Sequence, residues 1–232
     1  GRNVLKQCSM HPLYGGNPGT GKTTVARIMA KIFRALGVIE RGHLIEADRS
    51  GLVAAYTGHT ALKTSAVIED SLGGILFIDE AYALSQGTED SFGKEAVNTL
   101  LKRMEDLRDE FIVIAAGYPD NMNNFLDTNP GLRSRFEHTF HFQDYSAEEL
   151  LQIALLMLQK EQLYPDDATM ESLGIYFRNL YDTRDPKTFG NAREVRSVIQ
   201  KAIRAQHLRM ATLSPAERSD EVMETLTLED IR

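Results

Sequence analysis

A chain of 232 residues that is 42% hydrophobic and 25% charged can bury a full-sized core, which excludes a disordered or fibrous polypeptide. Its net charge of -7 argues against nucleic acid as a standing partner, and its single cysteine, Cys8, excludes an internal disulfide and fits a reducing compartment. No apolar run is long enough to cross a membrane and no signal-peptide layout is present, so the expected location is cytoplasmic.

Residues 12–15 read as a first strand. Gly16-Asn17-Pro18-Gly19-Thr20-Gly21-Lys22-Thr23 follows and meets the phosphate-loop pattern G-x-x-x-x-G-K-[ST] at every required position. Its glycines let backbone N–H groups approach a polyphosphate without a Cβ in the way. Lys22 can reach the β- and γ-phosphates of ATP, and the Thr23 hydroxyl can ligate Mg²⁺. Thr24 continues a helical pattern over 22–36, whose N-terminus adds partial positive charge.

A second strand is expected at 44–47 and a second helix at 60–72. Between them Tyr56-Thr57-Gly58 makes a loop with one aromatic tip, suited to gripping an extended peptide by contact area, although read alone Tyr56 is more simply a core tyrosine. Residues 75–78 are apolar throughout, as a strand buried on both faces should be, and end in Asp79-Glu80. Asp79 can hold Mg²⁺ through water, and Glu80 is placed to polarise an attacking water.

A helix over 93–107 carries the apolar stripe Ala96, Val97, Leu100, Leu101, Met104 and Leu107. Strands at 111–116 and 139–142 bring the number to five. Strand–helix alternation of this kind predicts an α/β domain with a mostly parallel sheet covered by helices on both faces. Arg133 and Arg135 stand two apart before the last strand, with no carboxylate at helical spacing to neutralise them; a surface salt bridge is the competing reading for each. His138 and His141 fall on opposite faces of that strand, and the histidines show no metal-ligand grouping.

The pattern changes at Asp144. Ser146-Ala147-Glu148-Glu149 is a capping box, and Leu150, Ile153, Ala154, Met157 and Leu158 follow at helical spacing. Helices are expected over 168–180 and 192–210, with a short strand or turn near 223–228. Residues 1–143 are therefore read as a nucleotide-binding α/β domain and 144–232 as a small helical one. Phe189-Gly190-Asn191-Ala192-Arg193 sets Arg193 at the start of the last long helix, with the same two readings as the other arginines.

In this order the phrases Gly-Asn-Pro-Gly-Thr-Gly-Lys-Thr-Thr, Tyr-Thr-Gly-His-Thr, Phe-Ile-Asp-Glu-Ala-Tyr and Asn-Pro-Gly-Leu-Arg-Ser-Arg-Phe make the chain resemble an AAA+ ATPase of the CbbX/CfxQ group, which includes rubisco-activase and sporulation ATPases, with the type VII secretion ATPases as similar relatives. The resemblance covers nearly the whole chain, the helical part mainly through Gly190-Asn191-Ala192-Arg193. It implies ATP and Mg²⁺ as cofactors, a homo-oligomeric ring, expected to be hexameric, and a protein client. Lys22 and Thr23 fall on Walker A, and Asp79 and Glu80 on Walker B, with Glu80 catalytic. Arg135 matches the arginine finger that completes a neighbour's site, with Arg133 a second candidate. Arg193 matches sensor 2, and Tyr56, Thr57 and Gly58 match the pore loop. A nucleotide-gated assembly module is the alternative, and a DNA-handling AAA+ protein a weaker one.

Two departures stand out. The fourth strand ends Ala115-Ala116-Gly117-Tyr118, where many relatives have Thr-Asn, so no residue is assigned to sensor 1; Asn121 and Asn123 are the nearby amides. The first strand also arrives almost at once, where the family has an N-terminal helix and linker. The chain is expected to be truncated or one module of a longer polypeptide, and to fold as a subunit more readily than to assemble.

Overall fold

The computed structural model describes residues 11–56, 58–85, 87 and 90–231. Cys8 and Thr57 lie outside the described residues. The chain forms two compact units. One is Gly21–Phe142 with the strand that ends at Gly16; the other is Gln143–Arg232 with Asn17–Thr20.

The first unit carries β1 (Pro12–Gly16), β2 (Leu44–Ala47), β3 (Ile75–Ile78), β4 (Ile112–Gly117) and β5 (His138–Phe142). They form one sheet in the order β2-β3-β4-β1-β5, and every pairing is parallel. The helices are α1 (Lys22–Ala35), α2 (Arg49–Leu52), α3 (Thr60–Asp70), α4 (Ser91–Asp106), α5 (Pro119–Asp127) and α6 (Pro130–Arg135). Strand alternation sorts the core into two layers. Tyr14, Ile75, Phe77, Ile112 and Ile114 face α1, whose Ala26 and Ala30 admit close packing. Leu13, Leu76, Ile78, Val113 and Ala115 face the other way, against Ile68, Val97, Leu100, Met104 and Phe125.

Residues 119–135, for which the sequence pattern gave no element, hold α5 and α6. The asparagines of 119–127 lower helix propensity and masked the spacing of Met122, Phe125 and Leu126, which are all buried. Each helix starts with proline in its first turn, where the missing N–H costs nothing, and Asn129 caps α6 by accepting from the Gly131 amide at 2.8 Å. Because all five strands run the same way, the segments that leave β1, β3 and β4 emerge on one edge of the sheet.

The second unit packs α7 (Ala147–Lys160), α8 (Asp167–Asp182) and α9 (Ala192–Thr212) around Leu150, Ala154, Leu158, Leu173, Phe177, Val195 and Ile199. The capping box forms reciprocally, Ser146 Oγ accepting from Glu149 N and Glu149 Oε2 from Ser146 N. The expected short strand is β7 (Thr225–Leu226), which follows α10 (Asp220–Glu224) and pairs in parallel with β6 (Tyr164–Pro165). Among the described residues no helix is long and apolar enough to cross a membrane.

An ion pair between half-buried Arg209 and buried Asp230 clasps the end of this unit. Arg209 donates from Nε and Nη2 to Asp230 at 3.0 and 2.8 Å, and Asp230 also accepts from Thr227 N at 2.8 Å. Burial alone would raise the Asp230 carboxyl; the Arg209 and Thr227 hydrogen bonds outweigh it and hold it below the ordinary carboxylate range. The folded-state value is the lower one, so this stabilisation is complete above the unfolded value and is lost as pH falls through the folded one. Asp230→Asn should destabilise the fold by about 2–3 kcal/mol at neutral pH and reduce the loss of stability on acidification, measured by urea unfolding from pH 3 to 7. An unchanged midpoint at neutral pH would remove the clasp.

Candidate nucleotide site

The loop after β1 is held by its own atoms. Thr20 Oγ1 donates to the Asn17 carbonyl at 2.8 Å, and Lys22 Nζ donates to the Gly16 carbonyl at 2.8 Å. Gly19 and Gly21 sit at φ +71° and +90°, a backbone region that side chains rarely adopt. A Cβ on Gly19 would also lie 2.2 Å from the Gly190 carbonyl oxygen. Gly21 leads directly into α1, whose first turn has no acidic residue to compete for its exposed amides, so this end of α1 can attract an anion such as phosphate. Thr23 is half-buried and Thr24 exposed.

Asp79 and Glu80 leave β3. Asp79 Oδ1 accepts from the Glu80 amide at 3.0 Å, and the Asp79 amide is tied to the Ala47 carbonyl at 2.8 Å. Glu80 adopts φ +49°, a strained conformation for a side chain with a Cβ, worth about 1–3 kcal/mol, and its carboxylate is exposed. The Ala83 amide bonds back to the Glu80 carbonyl at 2.8 Å and secures the turn. Tyr82 and Tyr118 pair beside it with ring centroids 6.2 Å apart. Burial raises the Tyr82 hydroxyl, followed by the charges of Glu80, Tyr118 and Asp79, with nearby Asn121 acting in the opposite direction. Tyr118, which directly follows β4, and Asn121 thus stand near the carboxylates where no sensor-1 residue was assigned.

Both arginines before β5 have carboxylate partners, as the competing salt-bridge reading expected, although no carboxylate stands at helical spacing in their own segment. Arg133 Nε donates to Asp127 at 2.8 Å, and Arg135 Nη2 donates to Glu105 at 2.9 Å. Glu105 comes from α4 and Asp127 from the end of α5, so each pair joins two separate helices. Arg135 also bonds the Gly131 carbonyl and acts on His11. Burial first, then the Arg135 charge, lowers the His11 pKa to about 4, and His11 Nδ1 accepts from the Val113 amide at 2.9 Å as a neutral ring.

Arg193 is exposed in the first turn of α9. Tyr56 is 74% exposed, so the core-tyrosine reading is wrong, and its ring meets His59 at 6.4 Å. Gly58 has φ +79°.

Residues 12–144 match the family described as ATPase family associated with various cellular activities (AAA), and residues 146–232 match the AAA lid domain. The chain belongs to the AAA family of ATPases. Stage V sporulation protein K of Bacillus subtilis (strain 168) is 50% identical over 210 residues, covering 90% of this AAA chain and 65% of that protein. Protein CbbX of Cereibacter sphaeroides is 44% identical over 227 residues, with 97% and 72% covered. The ESX-3 secretion system protein EccA3 of Mycobacterium leprae (strain TN) is 38% identical over 243 residues, with 99% and 38% covered. The chain thus spans between about two fifths and three quarters of the length of these relatives, which are consistent with the CbbX/CfxQ group. The crystal structure of the FIGL-1 AAA domain in complex with ADP shares the fold at TM-score 0.64 and 20% identity, over 98% of this chain and 71% of that one.

In this AAA chain the motif reading missed Glu105, Tyr82, Tyr118 and the residues around Asp144. Tyr82 closes the phrase Phe-Ile-Asp-Glu-Ala-Tyr without a role of its own there, the others lie outside the motifs, and each gains its place through a contact distant in sequence. The one available signal was aromatic: tyrosines that immediately follow β4 or Walker B and are not needed by the core pattern.

Proposed function

We propose that this chain is an ATP-hydrolysing remodelling motor that acts in the cytoplasm as a ring of six like subunits on a protein client.

 Residues 1–143 form its nucleotide-binding domain and 144–232 its lid. The observation that carries the reading is that two halves of a phosphate-transfer site, the glycine loop with Lys22 after β1 and the strained Asp79-Glu80 pair after β3, leave the same edge of one parallel sheet. Family membership and the relatives named above support it.

In this reading residues 16–24 bind the polyphosphate, Lys22 leaving the Gly16 carbonyl for the β- and γ-phosphates. Glu80 orients and polarises the attacking water. Arg135 of a neighbouring subunit, with Arg133 as reserve, offsets charge on the transferred phosphoryl, and Arg193 reports the nucleotide state. A magnesium ion takes one or two protein oxygens together with phosphate oxygens and water, and the Thr23 hydroxyl and Asp79 carboxylate are a fitting donor set. When bound, it would neutralise charge on the phosphates.

Exposed Tyr56, beside Gly58, supports a role in gripping a client chain. The wild-type ATPase rate should rise with protein concentration and rise again on adding unfolded polypeptide. Tyr56→Ala should lose that second rise. Equal stimulation of both proteins would remove the pore role, stimulation by DNA instead would favour a DNA-handling protein, and a rate indifferent to both would favour a scaffold.

A further inference from the structure

The crest of the glycine loop, Asn17–Thr20, belongs to the same compact unit as the helical part of the chain, and its carbonyl groups have partners there. The Pro18 carbonyl accepts from Asn191 Nδ2 at 3.3 Å, the Gly19 carbonyl from the Ala192 amide at 3.2 Å, and the Thr20 carbonyl from the Tyr145 hydroxyl at 3.1 Å. With Thr20 Oγ1 on the Asn17 carbonyl, four consecutive carbonyls are held. In a planar trans peptide the N–H points opposite to the C=O. Fixing the carbonyls of Pro18, Gly19 and Thr20 therefore fixes the direction of the next three amides, those of Gly19, Thr20 and Gly21, which are the groups an anion nest requires.

Asp144 organises this set. Its Oδ1 accepts from Asn17 Nδ2 at 2.9 Å and from Asn191 Nδ2 at 2.7 Å, while its Oδ2 faces Arg184 Nε at 3.4 Å. Asn191 is fully buried and strained, at φ +49° and ψ -123°, and its Oδ1 accepts from the Tyr145 amide at 2.9 Å. Asparagine at a helix start ordinarily caps the helix with its side chain. Here that side chain makes no cap to α9 and is spent on Asp144 and the loop instead. A strained residue in such a place persists because its surroundings over-determine it.

We infer that Asp144, Tyr145 and Asn191 are positioning residues for nucleotide binding, acting through the backbone of the phosphate loop by holding its carbonyls away from the ligand. The inference rests on the nucleotide reading above and deepens it. None of the three needs to touch the nucleotide.

Binding of a fluorescent N-methylanthraniloyl ADP, together with steady-state ATPase kinetics, tests it. Tyr145→Phe removes one hydrogen bond and keeps the ring; Asp144→Asn keeps the shape and removes the charge that two amides share. The Kd should rise about fivefold for Tyr145→Phe and about tenfold or more for Asp144→Asn. The KM for ATP should rise in step while kcat falls less than twofold. Wild-type protein that binds the probe, with both variants within twofold of its Kd, overturns the inference and leaves the nucleotide reading standing. Wild-type protein that fails to bind the probe overturns both. Should Asp144→Asn fail to fold, Tyr145→Phe decides the matter alone.

Discussion

Glu80→Gln is expected to bind ATP as the wild type does and to lower turnover by about a thousandfold. A side chain that accepts or orients the proton of an attacking water contributes roughly 10²–10⁴ in rate, and glutamine keeps the shape of the side chain without the carboxylate. The geometry adds a reason for choosing this residue over its neighbour. Asp79 Oδ1 is engaged by the Glu80 amide, whereas the Glu80 carboxylate is exposed at the end of a backbone turned to φ +49°. Equilibrium binding of labelled ATP and phosphate release by the same preparation separate the two effects. Normal turnover in this variant would refute the assignment of Glu80; loss of binding together with turnover would mean that the substitution damaged the site rather than the chemistry.

Arg135→Ala should lower turnover by about 10³ with nucleotide binding kept, since an arginine finger is worth roughly 10³–10⁵ in kcat. The decisive form of the experiment mixes two inactive proteins. Glu80→Gln subunits keep the finger and lack the base; Arg135→Ala subunits keep the base and lack the finger. If the finger acts across subunits, an equimolar mixture hydrolyses ATP faster than either protein alone. A mixture no faster than its components would place Arg135 within its own subunit or outside the reaction, and wild-type turnover in Arg135→Ala would pass the role to Arg133. The ion pair with Glu105 bears on this. To reach a neighbour's phosphate the guanidinium has to exchange Glu105 for another anion, and Glu105 is exposed enough for water to solvate it when that happens.

Much of the sheet was readable in the sequence, for a physical reason. β2 and β3 lie at the predicted residues, and β3, buried along its whole length, is an uninterrupted apolar run that no amphipathic helix would produce. The helix over 91–106 was legible because Ala96, Val97, Leu100, Leu101 and Met104 repeat at helical spacing and pack on one layer of the core. The helices α5 and α6 were not. Their polar residues hide the helical spacing, and what makes them helices is the burial of Met122, Phe125, Leu126 and Leu132, which depends on the sheet they cover. The candidate site divides along the same line. The glycine loop and the Asp79-Glu80 pair were legible because their chemistry resides in consecutive residues.

The sequence by itself determined which groups are available: glycines that tolerate φ +71° and +90°, a lysine and a threonine next to them, two carboxylates after an apolar strand, and arginines ahead of the last strand. Tertiary structure decided which of these groups meet. Asn17 finds Asp144 across 127 positions of chain, Pro18 finds Asn191 across 173, and Arg135 finds Glu105 across 30. No local propensity encodes such pairs. A hydrogen bond or ion pair exists only where two groups come within about 3 Å, and between residues so distant in sequence the folded core alone sets that distance.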